Sequence, residues 1–299
     1  MVASLLTACL FSLSVIFAAR SAAILGGATA NLTRLTLAAV LLAVWAHAFG
    51  RGLEGAGLPW FFLSGVIGFG LGDMALFAAL GRIGPRLSIL LTQCLAAPLG
   101  ALAEWGWLGT TLEPFELGCA GVILAGVALA LAPDRGWTGK RRDFWLGALC
   151  GLGSAAGQAF GAVVSRQANL VAQLNGEPVD GGTAAYQRIL GGVIVTFVAF
   201  AFFRKLRPPG SEPGAARWQR AWPFVVANAC AGPALGVACY QWALSTTPTG
   251  IVLALVATAP LLTMLLAWFI DGLRPTLRAA IGSVIAVGGA AGLRYFSGA

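Results

Sequence analysis

Apolar residues run along this chain in long blocks rather than in alternation, and polar positions gather between the blocks. Ten blocks qualify as membrane-crossing helices: 2–19, 30–49, 58–80, 85–108, 116–132, 144–165, 184–203, 221–244, 249–270 and 276–295. A hydrocarbon core of about 30 Å needs about 20 helical residues, so each block reads as one span. The pattern is plainest in 68–108, an apolar stretch cut in two by Gly81-Arg82-Ile83-Gly84-Pro85-Arg86. Its second half carries Pro98 in mid-helix. There the missing N–H and the ring clash predict an opened or kinked backbone.

The stretch 236–271 repeats this plan. Ala79-Leu80 returns as Ala243-Leu244, the short break as Ser245-Thr246-Thr247-Pro248, and Pro98 as Pro260. Further landmarks keep the same order. Thr29-Ala30-Asn31-Leu32-Thr33-Arg34 opens the second span and Thr183-Ala184-Ala185-Tyr186-Gln187-Arg188 the seventh, while Pro114 and Gly121 match Pro275 and Gly282 at the fifth and tenth. Five spans per copy is an odd number, so the second copy enters the membrane upside down, a design that puts a substrate site between the halves near the midplane. The expected organisation is an all-α membrane protein with two inverted five-helix repeats around a central cavity. The first repeat covers 1–133, a cytoplasmic connecting loop 134–143, and the second repeat 144–299.

Composition agrees. The 299 residues are 58% hydrophobic and only 10% charged, far from the roughly 25% charged residues of soluble domains. The 41 glycines suit close helix approach in lipid. A formal charge of +8 invites a nucleic-acid reading, but the basic residues sit in short connections rather than on one helix face. Membrane topology accounts for them, and no nucleic-acid partner is expected. With the N-terminus outside, fifteen Lys and Arg fall on the cytoplasmic side and only Arg51, Arg166, Arg188 and Arg294 on the other. Both termini are then external, in a bacterial-type inner membrane. The N-terminus lacks a basic leader and a trustworthy cleavage site, so it is read as a retained first span. Six cysteines lie inside apolar blocks without a CxxC pair, and there is one histidine, so neither disulfides nor a metal site is expected, and no cofactor.

These features together resemble the EamA-type proteins of the drug/metabolite transporter superfamily. The resemblance is carried by the ten spans, the arginines opening spans two and seven (Arg34, Arg188), the mid-helix prolines Pro98 and Pro260, and the glycine-rich spans five and ten. Within that superfamily the chain is most similar to YddG-like exporters of aromatic and other amino acids. The resemblance implies a basket of helices around a central cavity, with spans five and ten at the periphery, and export of small neutral metabolites.

Intramembrane charges come first as candidate chemistry. Asp73 lies well inside the third span, where a carboxylate is costly enough to suggest function. It reads as a proton carrier or a partner for a substrate ammonium. The blander reading, which is the stronger on sequence alone, has it bonded to backbone and water in Phe69-Gly70-Leu71-Gly72, or paired with Arg82 or Arg86. The run Gly70-Leu71-Gly72-Asp73 matches the GxGD of intramembrane aspartyl proteases, but that chemistry needs a second central carboxylate, and no other span supplies one. Arg34 and Arg188, near the starts of their spans and at opposite membrane faces, read as structural anchors or gate-locking residues rather than direct substrate ligands. On that reading deep basic residues are missing, which lowers phosphorylated substrates.

Uncharged polar and aromatic residues inside spans are the substrate-binding candidates: Ser12, Gln93, Trp105, Gln158, Tyr240, Gln241 and Thr258. Amides and hydroxyls bond a zwitterion without a permanent buried charge, and aromatic walls suit an apolar side chain. The alternative for each is ordinary helix–helix hydrogen bonding. Pro98 and Pro260 free carbonyls near Cys94 and Val256 and are expected to act as hinges. A membrane-embedded enzyme would need clustered His, Asp, Glu or Lys at one depth, and a channel a carboxylate ring or filter motif; neither pattern is present. The expected partners are a small-molecule substrate, amino acids or similar metabolites, and membrane lipid. Exporters of other metabolites or of organic cations remain the alternative. Oligomeric state is left open, with a monomer as the working assumption.

Overall fold

In a computed structural model the described residues are 1–132, 140–204, 214–271 and 276–296. Arg135, Lys205, Arg207 and Arg274, counted above among the cytoplasmic basic residues, and Pro275, used in the repeat matching, lie outside them. The described chain is almost entirely helical. Its elements are α1 (Val2–Leu25), α2 (Gly27–Phe49), α3 (Leu58–Ile83), α4 (Leu87–Leu108), α5 (Pro114–Leu131), α6 (Arg141–Leu174), α7 (Gly181–Arg204), α8 (Ala215–Thr246), α9 (Thr249–Val256), α10 (Ala259–Asp271) and α11 (Leu277–Phe296). Among the described residues nine spans are long and apolar enough to cross a membrane, α9 leading into α10 as one of them; the apolar part of α11, Leu277–Gly292, is shorter. Large apolar side chains such as Phe197, Val198, Val284 and Val287 face outward. In water such a surface would aggregate; in lipid it is the solvent-matched one.

Local chemistry sets the helix ends. Gly26 adopts φ 83°, a left-handed conformation open to glycine, and so joins α1 to α2 in a single residue. Pro114 occupies the first turn of α5, behind a capping box in which the Glu113 N–H donates to Glu116 Oε2 at 3.0 Å.

The expected break at Gly81–Arg86 takes an unforeseen form. Helical backbone continues through Asp73–Leu108, yet the chain reverses. Packing against α6 shows the reversal. Gly147, Gly153, Gly157 and Gly161 of α6 face Ile83, Ala75, Gly72 and Gly68 in turn, running backward along α3, whereas Gly151 faces Leu91 and Gly100 of α4 faces Ala159, running forward. Pro98 does not interrupt α4; the helix passes through it and its ring is exposed on the outer face. This corrects the expected opening of the helix at that position. Pro260 differs, because the helix does break just before it, at the turn Ala257–Thr258 between α9 and α10.

Two wide helical turns of the π type were not anticipated. They span Val66–Gly72 in α3 and Cys230–Gly236 in α8. Such turns are rare and gather at functional sites. Both carry closely spaced glycines, Gly68, Gly70 and Gly72 in the first and Gly232 and Gly236 in the second, and Pro233 removes one N–H from the second.

The main packing pairs are α1 with α8, α2 with α7, α3 and α4 with α6, and α5 with α11. Small residues bring backbones together at these seams. A methyl group at Gly157 would fall 2.5 Å from Gly72 Cα, and one at Gly126 2.5 Å from Gly282 O. In lipid, where apolar burial drives little, such close contact is what holds helices together.

Candidate functional site

A hollow of about 420 Å³, partly continuous with solvent, lies between α1, α2, α3, α4, α6, α8 and the α9–α10 break. It widens toward the end where α4 begins and α5 ends, near Ile89, Leu131 and Met264. A narrower inner part continues past Phe69 and Val237 to Arg188, Tyr240, Leu253 and Val256. The walls are mostly apolar, and the charged lining residues among those described are Arg34, Asp73 and Arg188.

Asp73 follows directly on the π turn of α3. Its partner is neither Arg82 nor the adjacent break but Arg34 of α2, with Nη2 3.8 Å from Asp73 Oδ2. Asn31 helps to orient that arginine, accepting from Nε at 2.8 Å through Oδ1. Arg82 instead donates to Ala78 O of its own helix, and the Arg86 side chain lies outside the described residues. Asp73 and Arg34 are both about one-fifth exposed, a half-wet ion pair at the hollow's wall.

Arg188 of α7 is buried. Its Cζ lies 5.0 Å from the ring centre of Phe69 and 5.3 Å from that of Tyr240. Cation–π attraction holds the guanidinium between the rings. Gly68 makes room for it, since a methyl there would fall 2.7 Å from Nη2. Both line the hollow, Arg34 its wider part and Arg188 its inner part, with Asp73 on the wall of each, so the premise that deep basic residues are missing is corrected. Each arginine is seven residues beyond the start of its helix, about 10 Å along the axis at 1.5 Å per residue.

The structure brings Gln93, Gln158 and Tyr240 to the hollow with these charges, and Pro260 to its wider part. It does not bring the others. Ser12 is buried and donates to Cys9 O at 2.6 Å; Thr258 donates to Leu255 O at 2.6 Å. Gln241 donates to Ser165 Oγ at 3.0 Å, and Trp105 is 61% exposed near the end of α4. Residues not singled out include Phe11 and Phe69, which line both parts, and Met264. Ser14 also reaches the wider part and donates to Asn228 Oδ1 at 2.7 Å, tying α1 to α8. An isolated Phe or Met in an apolar block carries no signal of its own.

The end of the bundle beyond Tyr240 is tied by polar contacts. Glu104 of α4 and Arg166 of α6 form an ion pair, the glutamate being 2% exposed. Glu104 also accepts from the Thr249 N–H, and Arg166 Nη1 donates to Thr247 O at 2.8 Å and Leu244 O at 3.1 Å. Alongside runs a chain in which Gln241 donates to Ser165, Ser165 to Ser64 at 2.7 Å, and Ser64 to Gly161 O at 2.6 Å. Gln187 donates to Gly52 O and Glu54 O, and Glu177 accepts from the Ala56 N–H. At the start of α7, burial pushes the Asp180 carboxyl up. The Thr183 hydroxyl, Trp45 Nε1–H and the Thr183 and Gly182 N–H groups outweigh that and hold it below the usual carboxylate range.

A family model described as the EamA-like transporter family matches residues 145–295, half of the chain. The chain belongs to that family. As an EamA-like transporter with many apolar helices it is a multi-pass membrane protein whose family context is a small-molecule substrate in lipid. A solved structure described only as a crystal structure of a protein superposes with a TM-score of 0.76 at 22% identity, over 98% of this chain and 96% of that one. That likeness gives the fold, and it extends it over the first half that the family match leaves out. A search of curated proteins returns no match.

Proposed function

We propose that this EamA-like protein is a secondary transporter that exports small neutral metabolites, foremost aromatic and other amino acids, by alternating access to the central hollow. The observation that carries this reading is one hollow combining Asp73, Arg188, Gln93 and Gln158 with the aromatic walls of Phe11, Phe69 and Tyr240. Charged and amide groups address the two ends of a zwitterion, and the rings accommodate its apolar body. The hollow is wide at one end and tied shut at the other by Glu104–Arg166, the arrangement of a carrier caught facing one side.

The proposed architecture is two inverted five-helix repeats, 1–133 and 144–299, joined by a cytoplasmic loop at 134–143. In its support, packing pairs exchange when the halves are swapped: α1 with α8 answers α6 with α3, and α4 with α6 answers the α9–α10 span with α1. The two π turns also align in that register, Gly68-Phe69-Gly70-Leu71-Gly72 with Gly232-Pro233-Ala234-Leu235-Gly236, and place Val237 where the first half has Asp73. Both termini are proposed to face the outside of an inner membrane, from the Lys and Arg asymmetry. Pro260, Asp73 and the Gln93–Gln158–Tyr240 lining are the proposed hinge, proton or ammonium site, and substrate contacts.

Labelled L-phenylalanine flux into proteoliposomes tests the reading. Saturable uptake accelerated by unlabelled amino acid on the far side supports a carrier. Absence of saturable uptake for aromatic, neutral and basic amino acids alike overturns it. Preferential flux of an organic cation would instead support the exporter of other compounds.

A further inference from the structure

Arg188 lines the inner hollow, and although its guanidinium hydrogen-bonds the Tyr240 side chain, two of its donors have no partner in the described protein. Nε and Nη1 of its guanidinium are shut off from bulk water and have no hydrogen-bond partner. Buried donors of a charged group are nearly always paired, because bare ones forfeit their hydration. The side chain is not loose: the Phe69 and Tyr240 rings flank it, and Gly68 leaves a space fitted to it. Asp73, the one acid among the described lining residues, pairs with Arg34 and is shared electrostatically with Arg188. Two arginines and one aspartate leave the hollow with an excess of one positive charge.

We infer that Arg188 anchors a carboxylate of the substrate, and that the substrate class is small monocarboxylates with an apolar body, amino acids included. This rests on the hollow being the substrate site of a transporter. A carboxylate is an acceptor-only group with a single negative charge, which matches both the unpaired donors and the excess charge. A phosphate dianion would call on a second free cation, and Arg34 is already held by Asp73. Phe11, Leu253 and Val256 beside Arg188 supply apolar contact for the rest of the molecule.

The test is calorimetric binding to the full-length protein in lipid nanodiscs of four probes sharing one ring: 3-phenylpropionate, L-phenylalanine, 2-phenylethylamine and phenyl phosphate. The two carboxylates should bind at least about tenfold more tightly than the amine or the phosphate, the scale of one charge-assisted contact. Arg188→Gln should abolish that preference. Arg188→Lys keeps the charge but loses the planar fork, and should weaken the carboxylates severalfold without helping the amine; it is the variant to read if Arg188→Gln does not fold. Equal or tighter binding of the amine or phosphate, binding of none of the four, or a carboxylate preference that survives substitution would overturn the inference. If the preference appears but no amino acid crosses a liposome membrane, transport fails and the anchor stands. If amino acids cross and the substitution leaves the preference intact, the anchor fails and transport stands.

Discussion

Glu104 and Arg166 face each other across the α4–α6 seam, at the end of the hollow opposite its opening. The pair is mostly buried and ties in three backbone groups, the Thr249 N–H and the carbonyls of Leu244 and Thr247. It thereby joins α4 and α6 to the turn between α8 and α9. Removing one partner of such a pair strands the other charge, at a typical cost of about 3–5 kcal/mol. Glu104→Gln should lower the detergent melting temperature by several degrees and make a cysteine placed at Thr249 reactive to a water-soluble maleimide. If the melting temperature stays unchanged and Thr249→Cys remains unreactive in that background, the pair does not close this end.

The glycine seams make a second prediction. At Gly157 an added methyl meets Gly72 Cα at 2.5 Å, backbone against backbone, with no flexible side chain to yield. Gly157→Ala should therefore destabilise by about 1–3 kcal/mol through overpacking. Gly121→Ala is the control, because nothing lies within 4 Å of its added carbon. Gain of helix propensity there should leave stability equal or slightly higher. Paired thermal melts of the two variants decide between specific seam packing and a general intolerance of larger residues.

Asp180 supplies the pH-dependent term. Its folded carboxyl titrates below the unfolded value, so the stabilisation is present above about pH 4 and is lost as pH falls through the lower, folded value. Asp180→Asn should cost about 1 kcal/mol at pH 7, the usual worth of a helix-capping side chain. The difference between wild type and variant should shrink on acidification below about pH 4. Melting curves across that range check the sign: a gap that widens toward acid would contradict it.

The two prolines should not behave alike. Pro260 follows an actual helix break and lines the hollow, while Pro98 sits in continuous helix on the outer face. Pro260→Ala should cut the flux rate by about tenfold if closing that break costs the motion about 1.4 kcal/mol. Pro98→Ala should keep the wild-type rate. Rates read in proteoliposomes, at matched protein incorporation, settle the point.

Much of this fold was legible because lipid imposes a coarse rule: apolar blocks about twenty residues long, separated by basic connections. Asp73 stood out for the same reason, a lone acid in apolar sequence. Arg34 and Arg188 were equally visible but misplaced. Each lies four residues past the edge of its apolar block, whereas the helices start three residues before that edge, at Gly27 and Gly181, and carry the guanidinium groups inward. Ser12 and Thr258 could not be resolved in advance, because a helical hydroxyl can satisfy itself on a carbonyl of its own preceding turn, as both do. The π turns were hidden for a different reason. Gly68-Phe69-Gly70-Leu71-Gly72 reads as helix-packing glycine, and only the folded backbone shows the extra residue per turn that puts Asp73 beside Arg34.

The central claim is that the two ends of this hollow open in turn. Single cysteines at Thr249, inside the tied end, and at Thr263, in the wide end, in a background without the native cysteines, report it most directly through maleimide labelling rates in liposomes with and without saturating L-phenylalanine. The account predicts reciprocal change, with labelling at Thr249→Cys rising as labelling at Thr263→Cys falls. Rates that move together at both positions, or that ignore the substrate at both, would contradict it.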